Sequence, residues 1–151
     1  MTKSPLNTNT VVHIGILVRD IEKSSQDFAD FLGLDKPSWV LSGSRAEAQT
    51  EYLGSPSEAR AKLAFLPVGN SLQIELIEPD SEPSIWRDNL DKYGEGIHHL
   101  AFEINGMKQK VMLMEQNDMK LVQKGEYPGG RYAYCDTKET LKTIVELLEN
   151  D

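Results

Sequence analysis

The feature that most constrains this chain is an internal repeat. A shift of 86 residues places segment 11–18 on segment 97–104 and pairs His13 with His99. Apolar residues alternate through both segments, which is typical of strands with one buried face. Self-similarity of this kind indicates that one supersecondary unit occurs twice.

The last part of each half repeats as well. A shift of 71 residues places segment 74–80 on segment 145–151, so that Glu75 falls on Glu146. An excursion over 41–58, rich in Ser, Gly, Ala and Glu, absorbs the difference between the two shifts. Each half is therefore predicted to run strand–helix–strands, with a histidine on its first strand and a glutamate on its last.

Local sequence signals predict the individual helices and strands. Asp20 can cap a helix that runs to Leu32 and ends at Gly33. Two strands are expected over 60–68 and 72–78, because the Gly69-Asn70 pair between them supplies the positive φ angles of a hairpin turn. The second half is predicted to contain a short helix from Pro83 to about Gly94, a strand over 97–104, a helix opening at Asn105 and a further segment after Gly129-Gly130.

Segment 137–149 has two interpretations. Leu141, Ile144, Val145 and Leu148 recur at helical spacing, and Asp136 could cap that helix. The position-by-position match to segment 74–80 favours a strand instead, since helix propensity alone is a weak signal. We predict the strand, and a helix here would remove Glu146 from any site.

Size and composition bound the possible classes. With 151 residues and 39% hydrophobic residues, the chain fits one domain over 1–151, with modules at about 11–80 and 96–150 and a flexible N-terminus at 1–10. The net charge of −8 argues against nucleic acid or an anionic membrane surface as partner.

The N-terminal region and the cysteine content indicate the compartment. The first ten residues are polar and lack the apolar core of a secretory signal. The longest apolar stretch, 11–18, is too short to span a bilayer. Cys135 is the only cysteine, so no intrachain disulfide can form. We expect a cytoplasmic protein in which Cys135 is structural.

Strand parity determines which side chains share a face. His13 and Gly15 point away from the apolar face of the first strand, as His99 and Ala101 do in its repeat. The small residues beside the histidines would leave room for a ligand. By the same parity, His98 should point toward the helix layer and away from the site.

Two glutamates complete a candidate metal site. Glu75 and Glu146 each lie between apolar residues of a strand, where a carboxylate is costly to bury unless it is paired or binds a metal. Singly, a strand histidine is more often structural and a glutamate more often solvated. Together, two imidazoles and two carboxylates suit one divalent ion such as Zn, Co, Ni, Mn or Fe(II).

With these residues identified, the chain resembles the vicinal oxygen chelate superfamily, which includes glyoxalase I, bleomycin-resistance proteins, extradiol dioxygenases and methylmalonyl-CoA epimerase. The resemblance covers about residues 11–149, and its nearest branch is that of methylmalonyl-CoA epimerase and glyoxalase I. It rests on four stretches of sequence: VVHIGILVRDIEKSSQDFADFLGL, LQIELIEP, GEGIHHLAFEI and TIVELLE.

This resemblance implies a fold and a set of ligands. The expected fold is α+β, with two tandem βαβββ modules that form a curled mixed sheet around a metal cleft, commonly in a homodimer. The four ligand positions correspond to His13, Glu75, His99 and Glu146. Glu75 makes the set two histidines and two glutamates, unlike the two-histidine, one-carboxylate pattern of the dioxygenases.

The resemblance also implies a reaction. A divalent ion can stabilise an enolate formed when a neighbouring C–H proton leaves, and Glu146 is the expected base. The leading hypothesis is a metal-dependent isomerase or epimerase, similar to methylmalonyl-CoA epimerase. A glyoxalase I-type lactoylglutathione lyase is the first alternative, and a metal-free small-molecule binding protein is the second.

The sequence gives weaker signals for the residues that contact the substrate than for the metal ligands. The epimerase pattern includes a second carboxylate on the strand before the Gly-Asn turn, but residues 60–68 contain none. Arg60 and Lys62 share parity on that strand and could grip an anionic small molecule, or they could be surface charges. Other residues in Gly-rich or flexible segments could close over a cleft: Arg131, Tyr132, Tyr52 and Tyr134. Trp86 and Tyr93 are expected in a core or dimer contact.

Overall fold

The computed structural model describes residues 4–151, which form a ten-stranded sheet and five helices. The strands are β1 (His13–Leu17), β2 (Val40–Leu41), β3 (Glu51–Tyr52), β4 (Ser55–Pro56), β5 (Ala61–Val68), β6 (Leu72–Pro79), β7 (Gly96–Glu103), β8 (Leu121–Tyr127), β9 (Gly130–Cys135) and β10 (Ile144–Asn150). The helices are α1 (Ile21–Leu32), α2 (Arg45–Ala48), α3 (Ile85–Tyr93), α4 (Met107–Gln116) and α5 (Lys138–Leu141).

The strand order is symmetric about a central seam. The sheet runs β2-β5-β6-β1-β7-β10-β9-β8-β3-β4. β1 is parallel to β6 and β7 is parallel to β10, whereas β1 and β7 meet antiparallel at the seam. The order β2-β5-β6-β1 therefore recurs in reverse as β7-β10-β9-β8. This confirms the predicted α+β fold with a curled mixed sheet.

Three helices cover the sheet, and each has its own apolar cluster. α1 packs on the outer face of the first half, where Ile21 and Ala29 meet Leu66 and Leu76. α4 packs on the outer face of the second half, with Met114 against Leu147. α3 packs on the inner, concave side. Its cluster contains Ile85, Trp86, Leu90, Leu17, Ile77, Tyr134 and Ile144.

Local sequence signals account for the first half. Asp20 caps α1, since its side chain accepts a hydrogen bond from the backbone N–H of Lys23, and Gly33 ends the helix with φ 69°. Gly69, with φ 65°, makes the turn between β5 and β6. In the second half, Gly106 rather than Asn105 is the residue that precedes α4.

Segment 137–149 contains a short helix and then the predicted strand. Only α5 is helical, and Lys142, with φ 66°, ends it in a left-handed conformation. β10 then pairs with both β7 and β9, so pairing distant in sequence outweighs the helical spacing. Glu146 therefore lies in a strand, as the repeat predicted.

The excursion over 41–58 is more ordered than a loop. It contains α2, β3 and β4, and β3 pairs with β8 at the far edge of the sheet. The segment thus starts in the first half and joins the sheet of the second. Of the predicted flexible N-terminus, residues 1–3 lie outside the described residues, and Leu6 is buried against the cluster beneath α4.

Candidate metal centre

The four residues singled out by the repeat meet at the centre of the sheet. His13 Nε2 lies 3.1 Å from His99 Nε2 and 2.8 Å from Glu146 Oε1. Glu75 Oε1 lies 3.5 Å from the Nε2 atom of each histidine. One potential ligand atom from each residue lies within 4.8 Å of the other three. Four side chains from four strands therefore converge on one point.

The seam between the two halves produces this convergence. β1 and β7 are the two central strands, and each has its glutamate-bearing partner strand on the outside. Gly15 lies opposite both Glu75 and His99 in the pairing register. A Cβ at Gly15 would overlap the imidazole of His99. The space that Gly15 provides is thus filled by His99 itself, not by a ligand as the sequence suggested.

Burial makes the electrostatics of the cluster strong. All four side chains are buried, and His99 is fully inaccessible. Burial disfavours the imidazolium of His99, but Glu146 and Glu75 outweigh it and raise the pKa of His99 to about 9. Burial likewise opposes ionisation of Glu146, but the nearby His99 and His13 lower its pKa below the usual value. Carboxylates and imidazoles are thus held close together without water.

The cluster fits a divalent cation. Glu146 Oε1 is buried and makes no hydrogen bond within residues 4–151, although His13 Nε2 lies 2.8 Å away. A buried carboxylate oxygen without a partner is costly unless a cation satisfies it. Two imidazole nitrogens and two carboxylate oxygens form a donor set that Zn and neighbouring transition metals accept.

A cleft of about 480 Å³ opens onto the cluster. His13, Glu75 and Glu146 line it, whereas His99 lies behind them. Aromatic side chains form much of the wall, contributed by Phe65, Trp86, Tyr127, Tyr132 and Tyr134. The site therefore has a buried polar end and a largely aromatic approach.

Comparison with known proteins identifies the family. A sequence model of the Glyoxalase/Bleomycin resistance protein/Dioxygenase superfamily matches residues 12–135. The chain belongs to this superfamily. The resemblance to this superfamily, which rested on four stretches of sequence, is thus confirmed.

Individual proteins resemble the chain in sequence or in fold. The chain is 28% identical over 144 residues to "Uncharacterized protein YqjC" of Bacillus subtilis (strain 168), covering 93% of this chain and 92% of that protein. Its fold is similar to that of methylmalonyl-CoA epimerase from Mycobacterium tuberculosis, with a TM-score of 0.64, 22% identity, and coverage of 100% and 93% of the two chains. The hypothetical protein BH1468 from Bacillus halodurans C-125 has the same TM-score and identity, with 94% of each chain covered.

The predicted cationic contacts of this superfamily member lie away from the cleft. Lys62 faces α1, where its Nζ lies 3.4 Å from Glu78 and 4.7 Å from the ring of Trp39. Arg60 donates to the backbone carbonyl of Ser42. Leu63 and Phe65 are the residues of β5 that line the cleft. Of the two alternatives for Arg60 and Lys62, the structure therefore agrees with surface charges and not with contacts to a ligand in the cleft.

The second half shows the same pattern. Arg131 pairs with Glu149 at 2.9 Å and with Asp151 at 2.5 Å, on the side of β9 that faces away from the cleft. Tyr132 does line the cleft, as predicted, and its hydroxyl accepts a hydrogen bond from Gln123 Nε2 at 3.1 Å. Both Tyr132 and Tyr134 lie in a regular strand rather than in a flexible segment.

Other singled-out aromatic residues and the cysteine have structural contacts. Trp86 is buried, and its Nε1 donates to the hydroxyl of Tyr134 at 3.0 Å. The hydroxyl of Tyr52 donates to Asp88, whereas Tyr93 is 54% exposed. Burial raises the pKa of the Cys135 thiol to about 12, as expected of a structural cysteine.

His98 is the residue that strand parity misplaced. In the pairing of β1 with β7, Gly15 is opposite His99 and Ile16 is opposite Ile97, so His98 is the extra residue of a β-bulge. The bulge breaks the alternation, and His98 points to α3 on the concave side, next to His99. Burial and the adjacent His99 hold its pKa well below the usual value. Periodicity contained no signal for this bulge.

No helix among the described residues is long and apolar enough to cross a membrane.

Proposed function

We propose that this protein is a metal-dependent isomerase or epimerase that works through an enolate, similar to methylmalonyl-CoA epimerase. One observation carries the proposal: two imidazoles and two carboxylates converge within 4.8 Å at the buried end of a cleft. The fold similarity to methylmalonyl-CoA epimerases supports the same class of reaction.

The proposed ligands of one Zn, Co, Ni or Mn ion are His13, Glu75, His99 and Glu146. Such an ion supplies Lewis-acid stabilisation of the negative charge that develops on a substrate carbonyl oxygen. The substrate would enter from the side that His13, Glu75 and Glu146 expose to the cleft. The aromatic walls would exclude water around the reacting carbon.

Glu146 is the proposed base. It borders the cleft, and within residues 4–151 its Oε1 accepts no hydrogen bond that would weaken it as a base. We infer that Glu146 removes the proton from the carbon next to the carbonyl. Glu75, supplied by the other half of the sheet, is the second carboxylate available to return a proton. Return to the same carbon on its opposite face gives an epimer.

A glyoxalase I-type lyase is the second candidate. Both carboxylates nearest the cleft's buried end belong to the four-residue cluster, and β5 carries no further acidic residue. An epimerase that uses a second base outside the cluster would need such a residue, so its absence from β5 is the observation that favours the lyase. Activity on a glutathione hemithioacetal would distinguish the lyase from the epimerase.

The residues that line the cleft indicate which charge the substrate can carry there. Its lining, within residues 4–151, includes no lysine or arginine, and Glu103 and Glu126 lie along it. The prediction of an anionic substrate rested on Arg60 and Lys62, which face elsewhere. We therefore propose a small molecule whose enolisable part enters the cleft, with any phosphate groups remaining outside.

We carry two further expectations into the proposal. The family resemblance implies a homodimer, and the composition indicates a cytoplasmic protein. Light scattering on the purified full chain would test the first, and localisation of a tagged protein in cells would test the second.

Metal analysis of protein purified without a histidine tag tests the central claim. We expect close to one divalent ion per chain, and a content below about 0.2 that does not rise on adding Co or Ni would favour a metal-free binding protein. In deuterated water, the metal-loaded protein should exchange the α-hydrogen of methylmalonyl-CoA or another candidate ester. Glu146→Gln with its metal retained should lose this exchange. Retained exchange would remove Glu146 as the base.

A further inference from the structure

The bulge in β7 places two consecutive histidines in contact. Successive residues of a regular strand point to opposite faces, so their side chains do not meet. Here His98 Nδ1 lies 2.8 Å from His99 Nδ1, and the two rings are perpendicular. Bulges are concentrated next to functional sites, where they redirect a side chain. The contact between the histidines is therefore a product of the strand irregularity.

A second hydrogen bond extends the contact to α3. His98 Nε2 lies 2.9 Å from Asn89 Oδ1. His98 is buried, and His99 is fully buried, so these nitrogens have little access to competing water. The chain of contacts runs from the amide of Asn89 through His98 to His99 Nδ1.

The direction of donation along this chain follows from its first member. An amide oxygen can only accept, so His98 must donate to it from Nε2–H. Neutral His98 then has an unprotonated Nδ1, which can only accept. His99 must therefore donate from Nδ1–H, and in the neutral ring of His99 the lone pair then lies on Nε2. That free nitrogen is the atom 3.3 Å from Glu146 Oε1 and 3.5 Å from Glu75 Oε1.

We propose that His98 is a positioning residue that fixes His99 in its Nδ1–H tautomer and holds its Nε2 toward the four-residue cluster. The proposal rests on the proposed metal site and extends it to residues that do not touch the ion. Partners of this kind raise the basicity of a ligand and fix the orientation of its ring, and their loss typically weakens metal binding about 10–100-fold. Asn89 completes the arrangement from α3.

Two matched pairs of variants separate hydrogen bonding from packing. His98→Asn keeps an acceptor near the position of Nδ1, whereas His98→Leu removes it. Asn89→Asp keeps the acceptor for His98, whereas Asn89→Leu removes it on a partly exposed helix face. Circular dichroism and thermal unfolding identify any variant that does not fold. If His98→Leu does not fold, the two Asn89 variants provide the test instead.

The first measurement is the dissociation constant for Co(II) of each metal-free variant. We expect His98→Leu and Asn89→Leu to bind Co(II) about 10–100-fold more weakly than the original chain, and His98→Asn and Asn89→Asp to stay within about threefold. Equal losses in the acceptor-keeping and acceptor-lacking variants would overturn the proposal in favour of simple packing. Unchanged affinity in both Leu variants would overturn it as well.

The second measurement does not need a metal. Nitrogen-15 NMR of the metal-free protein, with the pH raised until the His99 ring is neutral, reports the tautomer of that ring. We expect Nδ1–H in the original chain and a shift to Nε2–H in His98→Leu. An Nε2–H tautomer in the original chain would refute the positioning role. If Nδ1–H is found but Co(II) does not bind, the proposed metal site fails while the tautomer assignment stands.

Discussion

The two halves of the sheet supply the same residue types to the site, but they hold them differently. In the second half, His99 is fully buried, overlies Gly15 and donates to His98. In the first half, His13 borders the cleft, and its ring meets Phe65 edge-on with centroids 6.3 Å apart. No counterpart of the His98 contact is found for His13 within residues 4–151. One half therefore anchors the site, and the other opens it to a ligand.

The same division extends to the outer strands. β8 has seven residues, whereas its counterpart in the first half, β2, has two. The short β2 is followed by the excursion over 41–58. The excursion residues Ser42, Gly43 and Thr50 line the cleft. Duplication gave each half a core of the same topology. The differences between the halves are concentrated around the cleft.

The largest expected effect tests whether the two outer cores are equivalent. Leu76 and Leu147 occupy matching positions of the repeat, and both are fully buried, beneath α1 and α4 respectively. Leu76→Ala and Leu147→Ala should each lower the free energy of unfolding by about 2–5 kcal/mol. Urea denaturation measures both. A cost below about 1 kcal/mol for one variant alone would break the equivalence of the cores.

Unlike the two cores, the two histidines should contribute unequally to metal affinity. His99→Ala removes a group that water cannot replace, and we expect Co(II) affinity to fall by more than about 100-fold, or roughly 3 kcal/mol. His13→Ala should cost less, since water from the cleft can take its position. Titration calorimetry compares them, with the exposed cleft residue Gln73→Ala as the control. A greater loss of Co(II) affinity in His13→Ala would show that the first half anchors the site and the second half opens it to a ligand.

The small residues beside the histidines give a third contrast. Gly15→Ala forces a methyl group into the space of the His99 ring and should cost about 1–3 kcal/mol in stability. Ala101→Gly, the matching change in the second half, should cost only about 0.5–1 kcal/mol through backbone entropy. Thermal unfolding ranks the two, and equal costs would show that the strands at the seam absorb the added methyl group.

The helix starts give a smaller contrast. Asp20 caps α1 from the preceding residue, whereas the backbone N–H of Gly106 at the start of α4 donates to Glu149 of β10 at 2.5 Å. Asp20→Ala and Glu149→Ala should each cost about 1 kcal/mol. Helix α4 would lose its connection to the sheet in the second case, so amide exchange should rise along α4. Equal amide-exchange rates along α4 in the Asp20→Ala and Glu149→Ala variants would argue against this connection.

Cys135 should show the smallest effect. Because burial raises the pKa of its thiol to about 12, the reactive thiolate is scarce in the folded protein at pH 8. A disulfide reagent should therefore react slowly with the native chain and at a normal rate in urea. Fast labelling of the native protein would show that the core beneath α4 opens more readily than that beneath α1.

Much of the fold and the whole four-residue cluster could be predicted from the sequence. Repetition carried that information, since the match of His13 to His99 and of Glu75 to Glu146 placed all four on equivalent strands. The strand at β10 was predicted for the same reason, although local spacing also suited a helix. Pairing on both sides, with β7 and β9, decides that segment, and local propensity does not report it.

The failures have a common physical cause. Parity shows which residues share a face but not which face meets the cleft, so it could not decide whether Lys62 faces a ligand, and Arg131 lies in a regular strand and not in a flexible segment. Parity also assumes an unbroken ladder, and the bulge at His98 violates that assumption. The short strands of the excursion escaped prediction because two residues carry no period.

The pairing of β3 with β8 has a consequence for how the chain can be divided. β3 belongs to the sequence of the first half but lies on the edge of the second, joined by backbone hydrogen bonds and a 3.5 Å ion pair between Glu51 and Lys124. A break after residue 80 would leave the second fragment with an open strand edge at β8 and the first with an unattached hairpin. The β3–β8 pairing thus ties the two halves of the sheet together, and a break at this point would remove a strand that the second half uses.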